Sequence, residues 1–337
     1  MQHLYIIGNG FDIHHKINSS YSNFRDWMEN YYPSILEDVE NVYGCCDADW
    51  WADFENNLAS LDAVEFSSNI AFENQPDLLS DHCDRTWTDA QIEVENQLNT
   101  IYTEIRERFH EWIMQLNKPH NDKKVKIEQN DSVFFTFNYT KTLENLYNIP
   151  SSKIIHIHGC IDDNEDFILG HGKSYEDIAK MNSGPDIPSP PDDLTDEEME
   201  QFYEMQAELA EQFHEQLARD AAIAGVASQQ KSVHSIIDKN KEFFDGIKGV
   251  QSIHIYGFSF SEIDIPYLEA IINVVGVEKT LWEISDFEGK ERTKIEKFIS
   301  NHKIKDFKII AYSGDTRSPI PVISVHSVGN LQYRRQS

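Results

Sequence analysis

Gly8-Asn9-Gly10, Asn138, His158-Gly159 and Gly257-Phe258-Ser259 share one feature: each follows directly on an apolar run with strand character. Glycines in such a turn let a ligand come close to the backbone, as a nucleotide phosphate does. The third glycine of a dinucleotide fingerprint is missing, because position 13 is Ile. The turn is then equally readable as a tight strand-to-helix connection. Asn9 and Asp12 are either helix caps or ligand contacts, and Asn138 either caps the helix after it or meets a ligand. His158 stands where a general base would stand, and an imidazole titrates near working pH. His156 and His158 alternate along one strand and so share a face; with His171 they could hold a metal. No acid or cysteine stands at a convincing ligand spacing beside them, and no metal is expected.

These residues need elements to hold them. "LYII" (4–7), "SVFFTF" (132–137), "KIIHIHG" (153–159), "VQSIHIYGFSFS" (250–261), "KTLWEIS" (279–285) and "FKIIAY" (307–312) read as strands. "DDNEDFILGHG" (162–172) reads as a turn and a short strand. Tyr21, Phe24, Trp27, Met28 and Tyr31 have helical spacing, and "WWADFENNLASL" (50–61) begins another helix. Val94, Leu98, Ile101, Ile105, Phe109, Trp112 and Leu116 mark the clearest helix, over 92–116. "KTLENLY", from Thr140, "DIPYLEAIINVV" and "KERTKIEKFIS" supply further helices. Residues 183–193 are a proline-rich linker, followed by an acidic helical insert with the stripe Phe202, Met205, Leu209, Phe213 and Leu217. Strands alternating with helices predict an α/β fold with a Rossmann-like parallel sheet. We expect one domain over 1–314 with helical insertions at about 25–120 and 194–245, then a tail, 315–337, of uncertain order. Ligands of such sheets bind beyond the carboxyl ends of the strands, where all four turns point.

The chain of 337 residues is 40% hydrophobic, with 19 Phe, 14 Tyr and 6 Trp, which is ample for a core. With 29 Lys+Arg against 58 Asp+Glu, its formal charge is -29. Such a field repels nucleic acid and anionic lipid, so no broad nucleic-acid binding is expected. Cys45, Cys46, Cys83 and Cys160 form no CxxC pair, which excludes zinc-ribbon spacing and fits a reduced, cytoplasmic protein. No signal peptide precedes the first strand and no apolar run approaches ~18 residues, so no membrane span is expected.

Taken together, "LYIIGNGFDIHHKINSSYSNF", "WWADFE", "FFTFNYTKTLENLY", "IHIHGCI", "GHG" and "IHIYGFSFSEIDIPYL" resemble AbiH-type bacteriophage abortive-infection proteins, over residues 4 to about 285. More distantly the pattern resembles the sirtuin-like NAD-binding fold. That resemblance implies NAD as substrate or ligand. Gly8 and Gly10, with Asn9, Phe11 and Asp12, match its first turn, which would bind the pyrophosphate and the nicotinamide ribose. Thr136 and Asn138 match T-x-N, His158 and Gly159 match H-G, and Gly257 and Ser259 match G-x-S. Arg25, after Phe24, matches the aromatic-arginine end of the cofactor loop, and Ser285 or Asp286 would meet the adenosine side. Two departures stand out: Thr140 replaces the aspartate of T-x-N-x-D, and the zinc module is missing. The second points away from a protein deacetylase and toward an NAD hydrolase of phage defence. In that reading Asn138 holds a ribose hydroxyl or positions water, and His158 is the general base. The resemblance also leaves room for a homo-oligomer and a phage-derived trigger. Other classes remain open: a non-enzymatic NAD or ADP-ribose sensor, an ADP-ribosyltransferase acting on a macromolecule, and a nuclease, which would need a carboxylate metal cluster.

Overall fold

A computed structural model of the chain describes residues 2–44, 47–75, 88–161, 167–183, 213–287 and 289–312. In chain order, β1 (His3–Ile7) and α1 (Asn9–His14) are followed by α2 (Tyr21–Tyr31), α3 (Pro33–Tyr43), α4 (Ala48–Ala52), α5 (Phe54–Asn57), α6 (Ala63–Glu73) and α7 (Asp89–Met114). Next come β2 (Ser132–Thr136), α8 (Thr142–Tyr147), β3 (Ile154–His156), α9 (Tyr175–Met181) and the helix at 213–227, α10. The chain continues with α11 (Val233–Lys239), α12 (Lys241–Gly246), β4 (Ser252–Tyr256), α13 (Ile265–Val275), β5 (Leu281–Phe287), α14 (Arg292–Asn301) and β6 (Phe307–Tyr312). It divides into two compact units, one of 1–23, 110–168 and 232–337, the other of 24–109 and 169–231.

The first unit holds a six-stranded, all-parallel sheet of order β3-β2-β1-β4-β5-β6. This is the Rossmann-like arrangement expected, with the order reversing at β1. One face of the sheet is apolar across β1, β2, β4 and β5, and the other is apolar around β1 and β2 and polar toward β5 and β6, so both faces are covered but only partly alike. Leu4, Ile6, Phe135, Ile253, Ile255, Trp282 and Ile284 pack on one side with Tyr267, Ile271 and Phe298 of the covering helices. Tyr5, Ile7, Phe134 and Tyr256 point to the other side, with Phe11, Leu143, Leu146 and Tyr147. In register, Ile7 lies beside Thr136 and Tyr256, and Thr136 beside His156. Four strands therefore end level with one another.

β3 is shorter than the expected 153–159. After the Ile157 N–H bonds the Thr136 carbonyl (3.0 Å), the chain turns and Gly159 N–H bonds back to the His156 carbonyl (3.1 Å). His158 thus lies in the turn, not two residues along a strand from His156. The short strand expected within 162–172 is not formed by its described residues, which make one isolated bridge, His171 to Gln230; residues 162–166 lie outside the described part.

Toward the β6 side, the sheet carries a polar ladder. His3 and His254 ring nitrogens are 3.2 Å apart, Tyr256 Oη donates to Glu283 (2.7 Å), and Lys308 Nζ donates to Glu283 (2.8 Å). Burial works to raise the Glu283 carboxyl, but the bonds from His254, Lys308 and Tyr256 outweigh it and hold it down at about 2. Its folded value lies below its ordinary one, so its stabilisation is present above about pH 4.5 and fades as pH falls toward 2. Lys308→Met is expected to cost about 1 kcal/mol near neutrality, with the difference from wild type closing in acid. Urea titrations at several pH values check this; a pH-independent difference would contradict it.

In the second unit, Phe24, Trp51, Phe54 and Phe109 build an aromatic core, with Trp51 and Phe54 stacked at 5.1 Å. Trp50 and Trp51 are buried, as core residues should be. The single helix expected to begin at 50–61 is two short ones, broken at Asp53. Asn56 Nδ2 bonds Asp53 Oδ1 and Asn57 Nδ2 bonds the Trp50 carbonyl, the local competition by which such side chains end helices. Lys231 is buried and pairs with both Glu55 oxygens, at 3.0 and 3.1 Å. In the acidic insert, Phe213 is exposed and Leu217 half-buried; the buried face of α10 instead carries His214, Ala218, Ala221, Ala222 and Val226. Phe202, Met205, Leu209, most of the 183–193 linker and the 315–337 tail lie outside the described residues. Among the described residues, no helix is long and apolar enough to cross a membrane.

Candidate active site at the carboxyl edge of the sheet

What comes close to the opening glycine turn is another backbone. Gly8 N–H bonds the Tyr256 carbonyl (3.0 Å), and Gly10 N–H bonds the Gly257 carbonyl (2.8 Å). A Cβ at Gly8 would lie 2.6 Å from Gly257 O, and one at Gly10 would lie 2.9 Å from Gly257 Cα. Gly257 N–H in turn bonds Ser285 Oγ (3.0 Å), which ties β1, β4 and β5 together at their ends. Phe11 N–H is also taken, by the Gly8 carbonyl. The glycine spacing thus serves the junction of two strand ends at the point where the strand order reverses.

Asp12, on α1, is the centre of a buried network. It accepts from Thr140 Oγ1 (2.5 Å) and Thr142 Oγ1 (2.7 Å), and the Asn138 side-chain amide also bonds it. Neither Asp12 nor Asn138 caps a helix; α8 begins at Thr142, not Thr140, with Lys141 before it. Asn138 is held from its backbone as well, since its N–H bonds Thr136 Oγ1 (3.1 Å). Its Oδ1 is buried and has no hydrogen-bond partner. Burial pushes the Asp12 carboxyl up to about 6, against the three hydrogen bonds and the nearby His156, which pull it down.

His156 ends β3. Its Nδ1 donates to the Asn138 carbonyl (2.8 Å) and its Nε2 to Glu144 Oε1 (3.2 Å). Both neighbours accept, so both nitrogens carry hydrogen and the ring is an imidazolium. Burial opposes the charge, but bonds with Cys160, Glu144 and the Asn138 carbonyl outweigh it and raise the ring to about 10. His156 is thus held charged between the Glu144 carboxylate and the Asn138 carbonyl, and is not a proton shuttle.

His158 is buried among aromatic rings, with Phe137 at 5.3 Å and Tyr267 at 5.7 Å. Its Nε2 lies 3.8 Å from Asp264 Oδ1. Asp264 occupies the position before α13, yet its side chain does not cap that helix.

A family description, bacteriophage abortive infection AbiH, matches the chain over residues 4–286. The chain belongs to the AbiH family. Its role is therefore in abortive infection of bacteriophage-infected cells. The matched span of this AbiH chain contains every residue of the buried network and of both strand-end turns. Comparisons with curated proteins and with solved structures gave no match.

The remaining residues singled out in this AbiH sequence fall as follows. Asn9 is tied to Ser19, donating to its carbonyl (2.8 Å) and accepting from its hydroxyl (2.6 Å). Phe11 is buried against His15 and Tyr147. Thr136 accepts from Asn138 N–H, Gly159 takes a φ of +91 in the turn after His158, and the Ser259 carbonyl accepts from Lys294 Nζ (3.2 Å). Asp286 accepts from Glu291 N–H (3.3 Å). These lie in the first unit with Asn138 and His158. Arg25 lies in the second unit, where its guanidinium pairs with Glu29 (3.2 Å) and Glu40 (3.0 Å). His171 is also in the second unit; its Nε2 bonds the Val226 carbonyl and its Nδ1 accepts from Lys173 N–H. Both nitrogens are used by the fold, and no group of three His, Cys, Asp or Glu among the described residues could hold a metal ion. Sequence reasoning missed Thr142, Glu144 and Asp264. The Thr140–Thr142 spacing and the acid two residues on were visible, but nothing local says that they face Asp12 and His156.

Proposed function

We propose that this AbiH chain is an abortive-infection effector that hydrolyses NAD at the nicotinamide–ribose bond. The reading rests first on Asn138 Oδ1, a buried acceptor without a partner at the carboxyl edge of the sheet. Such groups are rare in folded proteins and stand where something else completes the bond. It is supported by the strand order, which reverses at β1, where sheets of this kind take their ligands, and by the resemblance of Thr136 and Asn138 at the end of β2, His158 after β3 and Gly257 after β4 to the sirtuin-like positions.

Nicotinamide in NAD leaves as a neutral base from a cationic linkage, so no general acid has to protonate it, unlike an ordinary glycoside. What remains is to orient the ribose and deliver water. Asn138 Oδ1 accepts from a ribose hydroxyl or from the water. His158, beside Asp264, takes the proton of the attacking water. The glycine turn plays no phosphate role in this scheme, because its Gly10 and Phe11 N–H groups are already bonded within the fold. A sensor that binds NAD or ADP-ribose without turnover is the second reading, favoured by the depth of His158, which is only 3% exposed.

Kinetics of Asn138→Ala and His158→Ala separate the two. Each is expected to lower nicotinamide release by ~100-fold or more while the circular dichroism spectrum is kept. Binding of NAD with no release by wild type would favour the sensor, and release undiminished in both variants would remove the assigned site.

A further inference from the structure

The Asn138 amide has two unlike ends, and Asp12 selects between them. With Nδ2 toward the Asp12 carboxylate, a hydrogen bond forms. Rotated by half a turn, Oδ1 would face a carboxylate, acceptor against acceptor, which is repulsive in a buried site. Asp12 is itself held by Thr140 and Thr142, from the segment that leads into α8. Asn138 is also pinned at both backbone groups, its N–H to Thr136 and its carbonyl to His156. Only the amide rotation is left to decide, and the carboxylate decides it.

We infer that Asp12 is a positioning residue: it holds Asn138 with Oδ1, not Nδ2, presented to the ligand, so that the site takes a hydrogen-bond donor such as a sugar hydroxyl or water. A group with acceptors alone, such as a phosphate oxygen, finds no partner on this atom. The link from Asn138 to turnover rests on the hydrolase reading; the orientation itself does not. The device depends on the charge of Asp12. The groups facing it are Thr140, Thr142 and Asn138, and the charged one is His156 of β3. His156 stays protonated well above neutrality, so across the range where Asp12 titrates, near 6, it is a constant neighbour. Protonated Asp12 becomes a donor, and the preference for one amide orientation is lost.

The first test needs no ligand. In the full chain, the Asn138 side-chain amide resonances are assigned by their loss in Asn138→Ala. They are expected to exchange slowly with solvent and to move with a midpoint near pH 6. In Asp12→Asn both features should disappear. Thr142→Val keeps the carboxylate but removes one bond that stabilises its charge, so the midpoint should rise; this variant decides the matter if Asp12→Asn does not fold. Asn138 resonances that ignore pH, or that are unchanged in the Asp12 or Thr142 variant, overturn the inference. The second test is turnover: Asp12→Asn should lower kcat for nicotinamide release by ~100-fold, as mispositioning does, with KM for NAD nearly kept and the acid limb of the pH profile lost. Wild-type kinetics in that variant overturn the inference while leaving the hydrolase reading in place. Absence of release from wild type removes the hydrolase reading, and the resonances still judge Asp12.

Discussion

Gly257→Ala is expected to abolish the folded state. Gly257 has φ +65, a region that costs a residue with a side chain roughly 1 kcal/mol or more. Strain is the smaller part. A Cβ there would lie 2.1 Å from Phe11 N and 2.5 Å from Gly10 C, both backbone atoms that no rotamer change can move aside. Relief requires the turn after β1 to withdraw, which breaks the Gly10-to-Gly257 bond and disturbs Gly257 N–H on Ser285. A loss above ~4 kcal/mol is a large share of the stability of an ordinary domain. Gly249→Ala is the control. It has φ +88, but nothing lies within 4 Å of the added carbon, so its cost is confined to the backbone. Thermal melts followed by circular dichroism compare them: Gly257→Ala should fail to give a cooperative melt, and equal melting temperatures would refute the steric argument.

His156→Ala carries the second large effect. The imidazolium is the partner of Glu144 Oε1, and Glu144 Oε2 is buried without a hydrogen bond. Asp12 lies within its field. Deleting one member of a buried charge pair leaves the other uncompensated, which costs ~3–5 kcal/mol. The sign of the pH dependence follows from the raised value. A histidine whose folded pKa stands at about 10 contributes stability fully below its ordinary 6.5 and loses it as pH rises toward 10. The gap between wild type and His156→Ala should therefore be widest at pH 6 and below and should narrow steadily up to pH 10. Urea unfolding across that range measures it, and a gap that widens with pH would show that His156 is held neutral.

Much of the sheet was legible because a buried strand is a short run rich in apolar, β-branched and aromatic residues, continuous in β1 and β2 and interrupted on one face by His254, Glu283 and Lys308 in β4, β5 and β6. The convergence of Gly8, Asn138, His158 and Gly257 was legible for a topological reason: parallel strands present their carboxyl ends on one edge. The contact those glycines make was not. Gly8 and Gly10 meet Gly257, far away in the chain, and local sequence carries no mark of that partner. Thr140 read as a lost aspartate, yet its hydroxyl is bonded to the carboxylate of Asp12, which comes from a different element. His156 and His158 read as sharing one strand face because alternation on a strand was assumed two residues too far; the charge on His156 is held by Cys160, Glu144 and a main-chain carbonyl, none of which periodicity reveals. The helix break at Asp53 was hidden for another reason, since side-chain bonds of Asn56 and Asn57 competed with an otherwise helical pattern.

Chromatography of NAD incubated with the purified chain is the most direct measurement of whether this site is a hydrolase. Nicotinamide and free ADP-ribose should appear in equal amounts, and neither should appear with Asn138→Ala. NAD recovered intact from the wild-type reaction, with no heat of binding on titration, would contradict the assignment of NAD to this sheet edge.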